Sequence, residues 1–308
     1  MSYSEEKYLS IVVPVYNSAA SLSILCAEVE KSMHELKYSY ELILVDDGSR
    51  DNSWQKICEL KKQFHFLSGY RLHKNSGQHN ALVCGIAKAQ GTWIVTLDDD
   101  LQFSPHDIKT LHDCAQNEDA ALVYGVPVKK QKSIIRSMGS KFLTVIFNHF
   151  ADLPVQGSSF KLIHKDVAEK LKDFNHPFLF IDEILCWHAH HVTTVDVKHA
   201  SRENGKSNYS FLKLIQIALK FIISYTTFPL RLITYFGLLS FIVCLGFIIY
   251  FLFMKYTYGA ELGFTATIVS IFMSSGLILF CIGVIGEYLN RLFLIQSGKP
   301  NYIIKSEV

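Results

Sequence analysis

Between residues 9 and 125, short apolar runs alternate with stretches whose apolar side chains recur at helical spacing. The runs are LSIVVPVY, ELILVDDGS, FLSGYRL, TWIVTLDDD and AALVYG. Runs this short and this continuously apolar predict strands buried on both faces, and the amphipathic stretches between them predict the covering helices. The expected fold class is α/β, a Rossmann-like, mostly parallel sheet with helices on both faces. Ligand sites in such sheets lie outside the carboxyl ends of the strands. Unusual polar residues gather at those ends: Pro14, Tyr16 and Asn17 in and after the first run, Asp46 and Asp47 in the second, and Asp98, Asp99 and Asp100 after WIVT.

The pattern changes in the last third of the chain. SNYSFLKLIQIALKFIISYTTF, residues 207–228, keeps Lys213, Gln216 and Lys220 on one helical face amid apolar residues, which predicts a helix lying in a membrane interface. Residues 232–254 and 262–286 then run without a charge, each long enough to span a bilayer as a helix. The connecting KYTYGAE carries one Lys and one Glu, whereas Lys213, Lys220 and Arg231 precede the first run and Arg291, Lys299 and Lys305 follow the second. That asymmetry predicts both termini in the cytoplasm. The expected division is a cytosolic domain over 1–206, a juxtamembrane interfacial helix over 207–230, a two-helix transmembrane anchor over 231–290 and a cytosolic tail over 291–308. The basic stretch at Lys129, Lys130, Lys132, Arg136 and Lys141 reads either as a solvated face or as a site for anionic lipid head groups.

Composition narrows the function. With 308 residues, 49% of them hydrophobic, the chain is too large and apolar for a small binding module. A net charge of +2 and the lack of interleaved basic and aromatic residues argue against nucleic acid as a partner. Seven cysteines without a CxxC pair or zinc spacing read as reduced thiols of a cytosolic domain, and MSYSEEKYLS does not read as a signal peptide.

Three adjacent carboxylates repel one another, and partial burial raises their pKa values, so a cation belongs beside Asp98, Asp99 and Asp100. Mg or Mn takes oxygen ligands and leaves positions for water and phosphate. In an extended loop Asp98 and Asp100 share a side while Asp99 points elsewhere. The other reading is a loop of acids leading to a helix N-terminus near Pro105. Asp46 and Asp47 suit ribose hydroxyls or base N–H groups, or form only an Asp-Gly turn with Gly48. Asp182 and Glu183 open a helix in FLFIDEILCW, where one of them contacts donor sugar hydroxyls or steers an acceptor, or both are simply helix N-terminal acids. His188, His190 and His191 lack ligand spacing and receive no role.

Taken in order, VVPVYN, LILVDDGSRDNS, KNSGQHNALVCGIAKAQG, TLDDDLQFSP, HASRENGKSNYSF, TTFPLRL and GVIGEYLNRLF resemble the polyprenyl-phosphate glycosyltransferases of glycosyltransferase family 2. The likeness is closer to bacterial enzymes that load glucose or an aminoarabinose-type sugar onto undecaprenyl phosphate than to dolichyl-phosphate mannose synthases. The resemblance implies a GT-A fold whose nucleotide-sugar contacts come from Pro14, Tyr16, Asn17, Asp46, Asp47, Asp98 and Asp99. It implies Mg or Mn on Asp98 and Asp100, acceptor phosphate at Arg136, Arg202, Lys206 and Ser207, and catalytic roles for Asp98, Asp100, Asp182 and Arg202. It further implies a UDP-linked donor, inversion at the anomeric carbon, a homotetramer among membrane lipids, and a multi-pass place in the bacterial inner membrane. The product would serve cell-envelope glycan or lipid modification. Two residues depart from the family pattern: Asp99 stands where relatives often have Ala, and VQGSSFKL lacks an acid just before its glycine. The competing functions are an idle nucleotide-sugar-binding scaffold and a GDP-mannose-using enzyme. A processive synthase is disfavoured by two spans and the absence of QxxRW.

Overall fold

The computed structural model describes residues 8–127, 158–172, 181–198, 263–298 and 300–308, with scattered helical positions between 233 and 257. Strands β1 (Tyr8–Val15), β2 (Ser39–Asp46), β3 (Leu67–Leu72), β4 (Trp93–Thr96), β5 (Leu122–Pro127), β6 (Lys161–His164), β7 (Val192–Val197) and β8 (Ile304–Glu307) form one sheet in the order β7-β5-β6-β4-β1-β2-β3-β8. The helices beside it are α1 (Leu22–Leu36), α2 (Ser53–Gln63), α3 (Gln78–Lys88), α4 (Ile108–Glu118), α5 (Lys165–Lys172) and α6 (Ile181–His188).

Alternating side-chain direction sorts the strands into two cores. Ile11, Val13, Leu42 and Leu44 pack with Leu25 and Val29 of α1, Ile57 of α2 and Leu111 of α4. Val12, Ile43 and Val45, one residue out of phase, pack with Ala81 and Cys84 of α3, Ala168 of α5 and Leu185 of α6. Gly85 lets α3 lie close on β1, since a Cβ there would sit 2.3 Å from Val12 Cγ1. Helices therefore cover both faces, as the sequence pattern requires.

The sheet is mixed, which corrects the expectation of a mostly parallel one. β1 pairs in parallel with β2 and β4, β2 with β3, and β5 with β7, but β6 runs antiparallel to β4 and β5, and β8 antiparallel to β3. The strands that the pattern misses are KLIH, VTTVDV and IKSE, which are short and half polar. The six cysteines among the described residues are free.

Contacts divide the chain into two units, and residues 299–308 belong with the sheet. The expected tail over 291–308 thus supplies the last helical turns up to Gln296 and then the strand β8. In the second unit α7 (Phe264–Gln296) takes in residues 264–286 of the expected second span over 262–286, and its Ser274–Gln296 stretch of 23 residues is long and apolar enough to cross a membrane. It is the one such helix among the described residues. The interfacial helix over 207–230 lies outside the described residues, as do 11 of the 23 residues of the expected first span over 232–254.

Candidate active site

β1 has β2 on one side and β4 on the other, all three parallel, so their carboxyl ends form the crevice of a topological switch point. A cleft of about 290 Å³ opens there, lined by Pro14, Val15, Tyr16, Asp47, Asn75, Gly77, Gln78, Asp98, Asp99 and Asp100. Six of the residues singled out in the sequence therefore come together.

The acid pair after β2 divides between cleft and core. Asp47 lines the cleft and accepts hydrogen bonds from the backbone N–H groups of Ser76 at 2.6 Å and Gly77 at 2.9 Å, at the start of α3. Burial pushes its carboxyl above the usual range; the two backbone bonds oppose that shift and the charge of Asp46 adds to it. Asp46 is fully buried, accepts from the Ser49 N–H at 3.0 Å and pairs with Arg71 Nε at 3.1 Å. Gly48 makes the turn at φ +66°, and a Cβ there would stand 2.7 Å from Asn75 N and Lys74 C. Asp46 thus stands behind Asp47 and is not among the residues that line the cleft. Asn17 is also a brace outside the lining. Its N–H donates to Ser49 Oγ at 3.0 Å, and its Oδ1 accepts from the Arg50 N–H at 2.9 Å.

The triple acid lies opposite. Asp98 accepts from Gln78 Nε2 at 2.8 Å through one oxygen and from Ser159 Oγ at 2.5 Å through the other. Ser159 is held by its own carbonyl, which accepts from Thr96 Oγ1 at 2.5 Å. Asp99 accepts from the Tyr16 N–H at 3.4 Å, and Asp100 from the Gln102 N–H at 3.2 Å. Leu101 bends the loop at φ +57°, and all three acids reach the cleft, so Asp99 does not turn away as an extended loop would have it. Burial pushes the Asp98 and Asp99 carboxyls up, and the neighbouring acids push further in the same direction.

This donor set fits Mg or Mn. Asp98 and Asp100 offer hard anionic oxygens, and each Asp98 oxygen that accepts one hydrogen bond retains a second lone pair. Among the described residues no three His, Cys, Asp or Glu side chains form a complete cage. A cation there would complete its shell with water and phosphate oxygens.

Asp182 has a different place from the one its sequence context suggests. Its carboxylate accepts from Tyr124 OH at 3.0 Å and forms an ion pair with Lys161 Nζ, both charged side chains being buried. It is not among the residues that line the cleft, and its described partners are a buried ammonium and a phenol. Burial, then the charge of Asp182, pushes the Tyr124 phenol far above its usual range, so it remains a hydrogen-bond donor. Lys161 pairs in register with Thr96, which makes it part of the strand that brings Ser159 to Asp98. Glu183, half-buried, has its carboxyl pushed up by burial. His190 and His191 meet the carbonyls of Asp119 and Glu118, each at 2.9 Å, and so tie the end of α4.

Gln78, Ser159, Asn75 and Lys161 received no role from sequence. NSGQHN was conspicuous as a motif, but neutral side chains carry no charge signal. Arg136, Arg202, Lys206 and Ser207 lie outside the described residues.

Two family models match the chain: glycosyl transferase family 2 over residues 10–172, and the GtrB C-terminal hairpin over residues 228–292. Among similar proteins, the undecaprenyl-phosphate 4-deoxy-4-formamido-L-arabinose transferase of Shewanella sediminis is 31% identical over 309 residues, covering 97% of this chain and 92% of the relative. The protein of the same name from Yersinia enterocolitica is 32% identical over 318 residues, covering 100% and 96%. Among solved structures, glucosyl-3-phosphoglycerate synthase from Mycobacterium tuberculosis, in complex with Mn2+, uridine-diphosphate-glucose and phosphoglyceric acid, aligns with a TM-score of 0.48 at 14% identity, covering 70% of this chain and 79% of that one.

Proposed function

This chain belongs to glycosyl transferase family 2, and from that premise we propose that it moves a sugar from a nucleotide diphosphate sugar, UDP-linked by preference, to undecaprenyl phosphate at the cytoplasmic face of a bacterial inner membrane. The observation that carries this reading is the cleft at the strand switch point, where Asp47 faces Asp98, Asp99 and Asp100. An acidic cleft of this kind suits a donor whose diphosphate arrives with a divalent cation. The full-length likeness to undecaprenyl-phosphate sugar transferases, the hairpin match and the spanning-length helix support the lipid acceptor.

Asp47 and the Tyr16 segment would hold the nucleoside end, and Asp98 and Asp100 would hold Mg or Mn, which supplies charge neutralisation to the departing diphosphate. Gln78 and Ser159 fix the Asp98 carboxylate before any substrate enters. A lipid monophosphate is already largely dianionic at neutral pH, so its oxygen can attack the anomeric carbon without a strong general base. Alignment then carries the reaction, with inversion at carbon. The protein works as a homotetramer, a multi-pass membrane enzyme whose product feeds cell-envelope glycan or lipid modification.

The test is incubation of the full chain with undecaprenyl phosphate, Mg or Mn and a panel of nucleotide sugars, with mass spectrometry of the lipid. One glycosylated polyprenyl phosphate is expected. Donor binding with no lipid product would favour an idle scaffold.

Arg202 tests the acceptor assignment. A guanidinium grips two phosphate oxygens with a planar fork that an ammonium lacks. Arg202→Lys is therefore expected to lower transfer to lipid phosphate by roughly ten- to a hundredfold, the worth of one charge-assisted hydrogen bond. Donor binding by calorimetry should change little. Equal loss in both measurements would remove Arg202 from the acceptor site.

A further inference from the structure

The catalytic sheet is completed by residues that follow the spanning-length helix. Strand β8 lies antiparallel on β3, and its ladder is extended by Gly69 N–H to Val308 O and Val308 N–H to Gly69 O, both 2.9 Å, and by His73 N–H to Ile303 O at 2.8 Å. Tyr302 and Ile304 pack on the core beneath α3. This is more attachment than a loose tail needs.

The register locates the consequence. Pairing steps from Arg71 with Ser306 to Leu72 with Ile304, which leaves Lys305 as the extra residue of a bulge opposite Arg71. A bulge raises the local twist and re-aims a side chain. Arg71 is the β3 residue paired beside this irregularity, and its Nε meets Asp46 at 3.1 Å and its Nη2 donates to Ser49 O at 3.3 Å. Ser49 in turn holds the Asn17 N–H through its hydroxyl, next to Tyr16 in the cleft wall, and Asp46 is followed directly by the cleft residue Asp47.

We propose that β8 and Arg71 form a positioning element for the nucleoside end of the cleft, so that donor affinity depends on residues 301–308. Arg71 acts through Asp46 and Ser49 and touches no substrate. The turn that carries Asp47 is held from behind by a strand made only after the anchor helix. The inference rests on the proposed nucleotide-sugar reading for its ligand but on the sheet alone for its geometry.

The test compares the full chain in detergent with a variant lacking residues 301–308 and with Arg71→Lys, which keeps the charge and loses the fork. Calorimetry with UDP and Mn2+ reads affinity, steady-state transfer separates donor KM from kcat, and hydrogen exchange reads the amides of residues 46–50. Both variants are expected to raise UDP Kd and donor KM about tenfold, to leave acceptor KM unchanged and kcat within a few-fold, and to lose protection at residues 46–50. The peptide NYIIKSEV added in trans should restore affinity to the shortened chain. Unaltered donor KM, UDP affinity and protection in Arg71→Lys would overturn the proposal, even if the shortened chain failed to fold. If the full chain binds no UDP, the UDP-donor reading falls, and the exchange measurement still decides whether β8 and Arg71 order the turn.

Discussion

Asp98→Asn is expected to lower sugar transfer about a thousandfold or more while raising the melting temperature of the metal-free protein. The activity loss follows from removing a hard anionic ligand where the protein supplies few, since about 4 kcal/mol of lost transition-state stabilisation is a thousandfold in rate. The stability gain follows from the same site. Burial first, and the charge of Asp100 with it, raises the folded pKa of Asp98 above its unfolded value. Between those two values the unfolded chain gives up its proton first, so stability falls as pH rises through that window and the whole cost is present at neutral pH. Asn keeps the shape and can still meet Gln78 and Ser159, so its advantage should be seen at pH 7 and fade as the pH drops toward about 4. Asp100→Asn should lose activity alike. Asp99→Ala should cost about tenfold or less, because among the described residues Asp99 meets only the Tyr16 N–H at 3.4 Å and the Ser18 side chain. Comparable loss for all three acids, or full turnover after thorough chelation, would count against cation binding at Asp98 and Asp100.

The parts of this site that the sequence made legible are those with a charge at the end of an apolar run. LILVDD and WIVTLDDD mark both a buried strand and the acids beyond it, and the structure brings Asp47 and Asp98, Asp99 and Asp100 to one cleft. What stayed hidden depends on partners distant in the chain. Period-two alternation makes Asp46 and Asp47 face opposite ways, but only the neighbouring β3 explains why the inward one is tolerated, through Arg71. IKSE has too few apolar residues to announce a strand and forms one because β3 leaves an open edge beside it. Ser159 and Gln78 fix the Asp98 carboxylate with neutral groups that no charge pattern reveals. Asp182 reads as a sugar or acceptor contact because it opens a helix beside Glu183 in FLFIDEILCW, and only the fold reveals the buried ammonium that β6 brings against it.

That ion pair carries the second large effect. Lys161 is 2% exposed and Asp182 8%, so removing either leaves a buried charge without its ion-pair partner. Asp182→Ala is expected to destabilise the sheet unit by about 3–5 kcal/mol, the usual cost of orphaning a buried charge. At roughly 2–4 °C per kcal/mol for a unit of this size, the melting temperature should fall by about 6–20 °C. The Tyr124 hydroxyl loses its carboxylate acceptor in the same step, and the Lys161 ammonium is left with the ring of Tyr124, 5.6 Å from its centroid, among its described contacts. Replacing both charged residues, as Lys161→Met with Asp182→Leu, should recover much of the loss, because apolar groups of similar volume have no charge to orphan. Activity separates this role from a lost general base. Residual transfer by Asp182→Asn should keep the wild-type pH profile, with no rescue from raised pH or a small exogenous base, because the acceptor phosphate is already ionised. A variant with wild-type melting temperature and activity restored by added base would return Asp182 to the reacting atoms and reverse the assignment drawn from its burial.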